Sequence, residues 1–155
     1  MAESKSMERG NRSLGDSAVD GLFGGAIAGV FMGIYLVIGG LINGEGPGTV
    51  MGHFSPSEGG SPLLGSLAHL AASAVYGAIF ALMLGQIGRI RPSLLRFSWL
   101  LGAGYGLGLW LAAEFVILPA VDSPLQLIPP IQFALSHLVF GLVLGAAVGR
   151  AFRNS

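Results

Sequence analysis

Three residues stand where side chains able to carry protons or ligate a metal are scarce. His69, Glu114 and His137 each lie inside a long apolar run that contains no Lys, Arg or Asp. An ionised carboxylate in hydrocarbon costs several kcal/mol, so Glu114 requires a proton, a partner or a path to the headgroups. Glu114 lies seven residues before Val121 and His69 seven after Pro62. At a rise of about 1.5 Å per residue both are then roughly 10 Å deep in a spanning helix. Three readings of Glu114 follow: a protonated or headgroup-seeking side chain, a structural pair with His69, or one stage of a proton or ion path. His137 sits near the middle of its run and follows Pro129-Pro130, a break that frees backbone carbonyls as in the binding sites of transporters. The simpler reading is a neutral imidazole that donates to a carbonyl or to Ser136, Ser73 or Tyr76. Two histidines on different spans also match the axial ligand set of a haem b, with neighbouring glycines leaving room for the porphyrin.

Other chemistry finds no support. The chain has no cysteine, no His-x3-His and no Asp/Glu-x-x-His pair, and His53 stands apart in a loop, so no metal site is expected. No serine sits in a nucleophile elbow, and the glycine repeats lie within apolar runs rather than after a strand. Neither a catalytic residue nor an enzyme activity is expected.

The elements that must position these residues are transmembrane helices. Of 155 residues, 52% are hydrophobic, 26 are Gly and only 10% are charged, against about a quarter charged in a soluble domain. Runs 21–42, 62–87, 97–121 and 125–148 hold 22, 26, 25 and 24 residues, each enough to cross about 30 Å of hydrocarbon as a helix. Lipid offers no partner to backbone N–H and C=O groups, and the runs lack the alternation of barrel strands, so helix is the forced choice. The expected fold is all-α, a four-helix polytopic membrane domain over 18–151, between a polar tail at 1–17 and a short tail at 152–155. Asp16 or Ser17 is the expected cap of the first span.

Charge then orients the chain. Lys5, Arg9 and Arg12 precede span 1, Arg89, Arg91 and Arg96 separate spans 2 and 3, and Arg150 and Arg153 follow span 4. With four crossings all of them fall on one side, which places both termini in the cytoplasm of a plasma (inner) membrane protein. Glu45, Glu58 and Asp122 lie outside, the first two on a Gly/Pro/Ser-rich external loop at 43–61. The first run exceeds a signal-peptide core and lacks a cleavage motif, so it is expected to stay. A net charge of zero and a pI near 6.8 exclude a nucleic-acid partner. The short turn 88–96 predicts that spans 2 and 3 are antiparallel neighbours.

Small residues recur at steps of four. Gly21, Gly25, Gly29 and Gly33 line span 1; Gly65, His69, Ser73, Gly77, Ala81 and Gly85 line span 2; His137, Gly141, Gly145 and Gly149 line span 4. Such rows let backbones approach closely. Span 3 carries two, Gly104-Gly108-Ala112 and Gly102-Gly106-Trp110-Glu114. His69-Leu70 with Gly77-Ala78 repeats as His137-Leu138 with Gly145-Ala146, and Gly25, Gly29 and Gly33 align with Gly104, Gly108 and Ala112. The pattern reads as a duplicated helical hairpin, related by a pseudo-two-fold along the membrane normal, with the two histidines facing each other across it.

The strings GGAIAGVFMG (24–33), VMGHF (50–54), AHLAASAVYGAIFA (68–81), GAGYGLGLWLAAEFVILPA (102–120) and SHLVFGLVLGAAVG (136–149) resemble an uncharacterised family of small four-helix prokaryotic membrane proteins, akin to the YagU-like proteins. The resemblance spans nearly all of 21–149 and implies the fold but no activity. Glu114 departs from an apolar position of that family. Two function classes remain: a helix-packing subunit or homo-oligomer in the lipid bilayer, alone or with a membrane-protein partner, and a small proton, ion or solute transporter or b-haem carrier using His69, Glu114 and His137.

Overall fold

Ser13 starts the first helix. Its hydroxyl accepts the Asp16 N–H at 3.0 Å while the Asp16 carboxylate accepts the Ser13 N–H at 3.2 Å, a reciprocal capping box. The computed structural model describes residues 13–57, 59–121 and 123–154. Lys5, Arg9, Arg12, Glu58, Asp122 and Ser155, all used above for topology or tails, lie outside them. Helix α1 runs Leu14–Ile42, so the cap is neither Asp16 nor Ser17, and the expected tail gives up its last four residues to the helix.

The external loop holds a short helix, α2 (Pro47–Gly52), whose Val50 is buried against Gly40. Helix α3 (Pro62–Ile90) has Pro62 in its first turn and the Ser61 hydroxyl accepting from Leu64 N–H; proline is suited to that position because the N–H it lacks would have no helical partner. A 3-10 turn (Pro92–Phe97) leads into α4 (Ser98–Ala112). A π-turn, Ala113–Ile117, follows before α5 (Leu118–Val121). Pro119 explains it: in an α-helix its ring would crowd the Phe115 carbonyl, and the turn widens so that Leu118 N–H bonds to Ala113 O. After a second 3-10 turn (Pro124–Leu127), α6 runs Pro130–Arg153. The fourth span is therefore displaced about five residues from the expected 125–148. Pro129-Pro130 begins that helix rather than breaking it, and the Pro129 carbonyl is taken by Phe133 N–H at 2.9 Å. His137 accordingly lies in the first third of α6, not near its middle.

Among the described residues four helical segments are long and apolar enough to cross a membrane: Leu14–Ile42, Pro62–Ile90, Pro92–Val121 and Pro130–Arg153. α1 lies along α3, α4 lies along α6, and α1 joins the two pairs by packing on α6. Helices α3 and α4 meet only briefly, where Tyr105 Oη donates to the Tyr76 carbonyl at 2.9 Å and Phe80 packs on the Tyr105 ring. The antiparallel neighbours expected from the short turn are therefore not α3 and α4. A short connection limits distance at one end only, whereas facing small-residue rows hold two helices together along their length.

Those rows set the pairs. A Cβ on Gly25 would fall on the Ser73 carbonyl and 2.9 Å from Gly77 Cα; a Cβ on Gly102 would fall on the Gly141 carbonyl and 2.7 Å from Gly145 Cα. A Cβ on Gly77 would strike Gly21 O, and one on Gly145 would strike Ser98 O. The row of α4 that packs is thus Gly102 and Gly106, while Gly104 and Gly108 have nothing within 4 Å. Gly25, aligned above with Gly104, meets Ser73 and Gly77 on α3, and the glycine of α4 that meets the matching pair Gly141 and Gly145 on α6 is Gly102. Large side chains turn the other way, with Phe23 and Phe31 of α1 facing outward at 69% and 51% exposure. In lipid that arrangement costs nothing, since hydrocarbon is as apolar as Phe, and close packing is left to the glycines.

Candidate functional site

Beyond the Tyr76–Tyr105 contact, α3 and α4 line opposite sides of a cavity of about 440 Å³. Ala72, Tyr76, Ala112 and Ile117 line it and are themselves exposed, so its mouth opens sideways between α3 and α4. Met32 of α1, with Phe133 and Phe140 of α6, lies deeper and is buried. Both histidines line this one space, His69 from α3 and His137 from α6, at 7% and 9% exposure. The cavity exists because α1 and α6, not α3 and α4, join the two helix pairs.

Each imidazole has one nitrogen committed to the backbone. His69 Nε2 lies 2.9 Å from the Gly29 carbonyl across the α1–α3 interface, and His137 Nδ1 lies 2.9 Å from the Phe133 carbonyl one turn back in α6. A carbonyl can only accept, so these nitrogens carry the protons and His69 Nδ1 and His137 Nε2 keep lone pairs. A Cβ placed on Gly33 would stand 3.7 Å from His69 Nε2, ordinary contact, so the His69 bond does not depend on glycine at that position. Aromatic rings hold both orientations, Phe54 tilted over His69 at 4.7 Å and Phe133 edge-on to His137 at 4.5 Å. Ser73, a third polar group of the cavity wall, is also buried.

Glu114 does not join them. It falls in the π-turn, half-buried, outside the lining of the cavity, and no hydrogen bond or ion pair to it is found among the described residues. Of the three readings of Glu114, the pair with His69 is not formed, because Glu114 falls in the π-turn outside the cavity that His69 lines. His137 bonds a carbonyl of its own helix rather than Ser136, Ser73 or Tyr76.

The haem b reading fits poorly. With Nε2 engaged at Gly29, His69 would have to bind iron through Nδ1, the nitrogen beside its own Cβ, which drives that carbon toward the porphyrin plane. Among the described residues no three of His, Asp and Glu gather as metal ligands.

Two features, one in this cavity and one away from it, were not legible as such in the chain. Phe54, on the loop after α2, reaches His69 only because the loop folds back over α3, with Gly65 giving passage to the Met51 carbonyl. Arg96, Arg150 and Arg153, informative about topology, also gather in a groove between α4 and α6; the spacing of Arg150 and Arg153 by three on a helix end was the available signal. Comparison of the chain with family models, with curated proteins and with solved structures gives no match.

Proposed function

We propose that this chain is a non-enzymatic multi-pass membrane protein that binds a small lipophilic molecule bearing a hydrogen-bond-donating head, in the cavity between its two helix pairs. One observation carries the reading: two buried imidazoles line one lipid-facing apolar space, each with its N–H spent on a carbonyl. With no carboxylate in the lining, neutral imidazole is the form that such a space accommodates. Both rings then offer only acceptors, so a hydroxyl satisfies them where a carbonyl or ether leaves them unpaired. The volume lies within the usual span of small-molecule sites.

The test uses the full chain in mild detergent with a long-chain alkylphenol and its methyl ether, which differ by one donor. Binding to the folded state raises Tm. The phenol is expected to raise it more than the ether, and His137→Leu to erase the difference. Equal shifts would remove the role of the imidazoles, and no shift with either compound would remove the cavity as a binding site.

The membrane orientation with both termini cytoplasmic is supported by the gathering of Arg89, Arg91, Arg96, Arg150 and Arg153 at one end, where Ser17 of α1 and Phe152 of α6 both lie near Gly85 of α3. A hairpin duplication is supported by the matched contacts of Gly25 with Gly102 and of Gly77 with Gly145. A packing subunit or homo-oligomer is the second reading. Most of the glycine faces invoked for it are consumed within the chain, but Gly104 and Gly108 form an open small-residue step on the least buried span.

A further inference from the structure

The geometry points to a second site, independent of the cavity: a binding groove for an anionic phospholipid at the arginine-bearing end, between the start of α4 and the end of α6. The groove measures about 700 Å³. One wall is Arg96 and Trp99, the other Arg150 and Arg153, and the strip between them runs into the span over Val143, Ala146 and Ala147. The combination is that of a phospholipid: cations where the headgroup lies, and a shallow apolar channel where an acyl chain descends.

Local structure makes each part. Gly145 packs on the Ser98 carbonyl and Trp99 Cα, which brings α4 and α6 into backbone contact and leaves a trough beside the crossing. Ala146 and Ala147 are small enough to keep that trough open. Arg150 and Arg153 are three residues apart in the last turn of α6 and share a face. Arg96 comes from the turn before α4, its guanidinium 4.6 Å over the Phe97 ring, so a cation–π contact directs it. Trp99, 46% exposed one residue inside α4, has the amphipathic ring and the depth of an interfacial anchor.

Three guanidiniums meet here with no carboxylate in the lining. Arginines at the end of α6 alone would serve the helix dipole and need no ligand. Arg96 belongs to a different segment, however, and converges on the same space, as expected where a phosphate is held from two sides in fork geometry. Basic pockets between transmembrane helices on the cytoplasmic side are where anionic headgroups bind.

The experiment is native mass spectrometry of the full chain in detergent, titrated with phosphatidylglycerol, cardiolipin, phosphatidylcholine or glycerophosphate. Anionic lipids should remain bound at concentrations where phosphatidylcholine does not, and glycerophosphate, which has the headgroup charge without the chains, should not displace them. Arg96→Gln should weaken retention about fivefold, the value of one cation near an anionic headgroup, with partial recovery in Arg96→Lys. Arg91→Gln, at the same end but outside the groove, should leave retention unchanged. Ala147→Trp should reduce retention with every arginine in place. Equal retention of phosphatidylcholine and phosphatidylglycerol by the unaltered chain would overturn the proposal whatever the variants do. Displacement by glycerophosphate would overturn it in favour of a soluble phosphate ligand, and an equal loss in Arg91→Gln would reduce it to nonspecific attraction.

Discussion

Replacing Gly25 by Ala adds one methyl group and should cost more than most core deletions of that size. The new Cβ would clash with the Ser73 carbonyl oxygen and lie 2.9 Å from Gly77 Cα and 3.0 Å from Ala74 Cα. All three obstacles are backbone, so no rotamer change relieves them, and α1 must withdraw from α3. Carbon–carbon contacts are optimal at about 3.5 to 4.0 Å, so the withdrawal is about 0.5 to 1 Å, which forfeits roughly a quarter to a half of each dispersion contact along the interface. About twenty such pairs at about 0.15 kcal/mol lose about 0.75 to 1.5 kcal/mol, and the residual clash brings the total to about 1 to 3 kcal/mol. Gly102→Ala, the corresponding site of the second pair, should lose a similar amount. Gly104→Ala is the control, because a Cβ there meets nothing within 4 Å, and alanine is the better helix former by up to about 1 kcal/mol. Thermal unfolding in one detergent, followed by circular dichroism, should therefore lower Tm for the first two variants and leave the third level or higher. Equal tolerance at Gly25, Gly102 and Gly104 would refute the assignment of close backbone contact to the first two.

Two further predictions concern orientation and Glu114. Single cysteines at Ser57 and Ser123 should react with an impermeant maleimide in intact cells while cysteines at Ser93 and Asn154 should not; labelling at Ser93 from outside would invert the topology. Because His69 bonds the Gly29 carbonyl and not Glu114, the losses from His69→Leu and Glu114→Leu should add, with a coupling below about 0.5 kcal/mol; a larger coupling measured by unfolding in detergent would show that the two side chains meet.

The hydropathy of the runs and the periodicity of the glycines were enough to establish an all-α chain with four spanning helices, since lipid leaves the backbone one way to satisfy itself and burial by composition needs no partner. The presence of buried histidines and of small-residue rows could be read in the same way. Helix ends were harder. Ser13 outcompeted Asp16 and Ser17 because a capping box depends on reciprocal bonds three residues apart, and Pro130 reset the start of α6 because a proline pair reads equally as a break or as a first turn. Partner choice was decided only by the fold. α4 carries two glycine rows two residues apart, on nearly opposite faces, and nothing local distinguishes Gly102-Gly106, which packs, from Gly104-Gly108, which does not. That selection depends on which face α6 presents, as does the separation of α3 from α4 despite their short connection. The site followed from it. His69 and Glu114 matched in depth, but depth along a helix says nothing about angle around it. The Gly29 carbonyl, brought close by the packing of α1 on α3, takes the His69 Nε2 proton, and the π-turn leaves Glu114 outside the cavity that His69 lines.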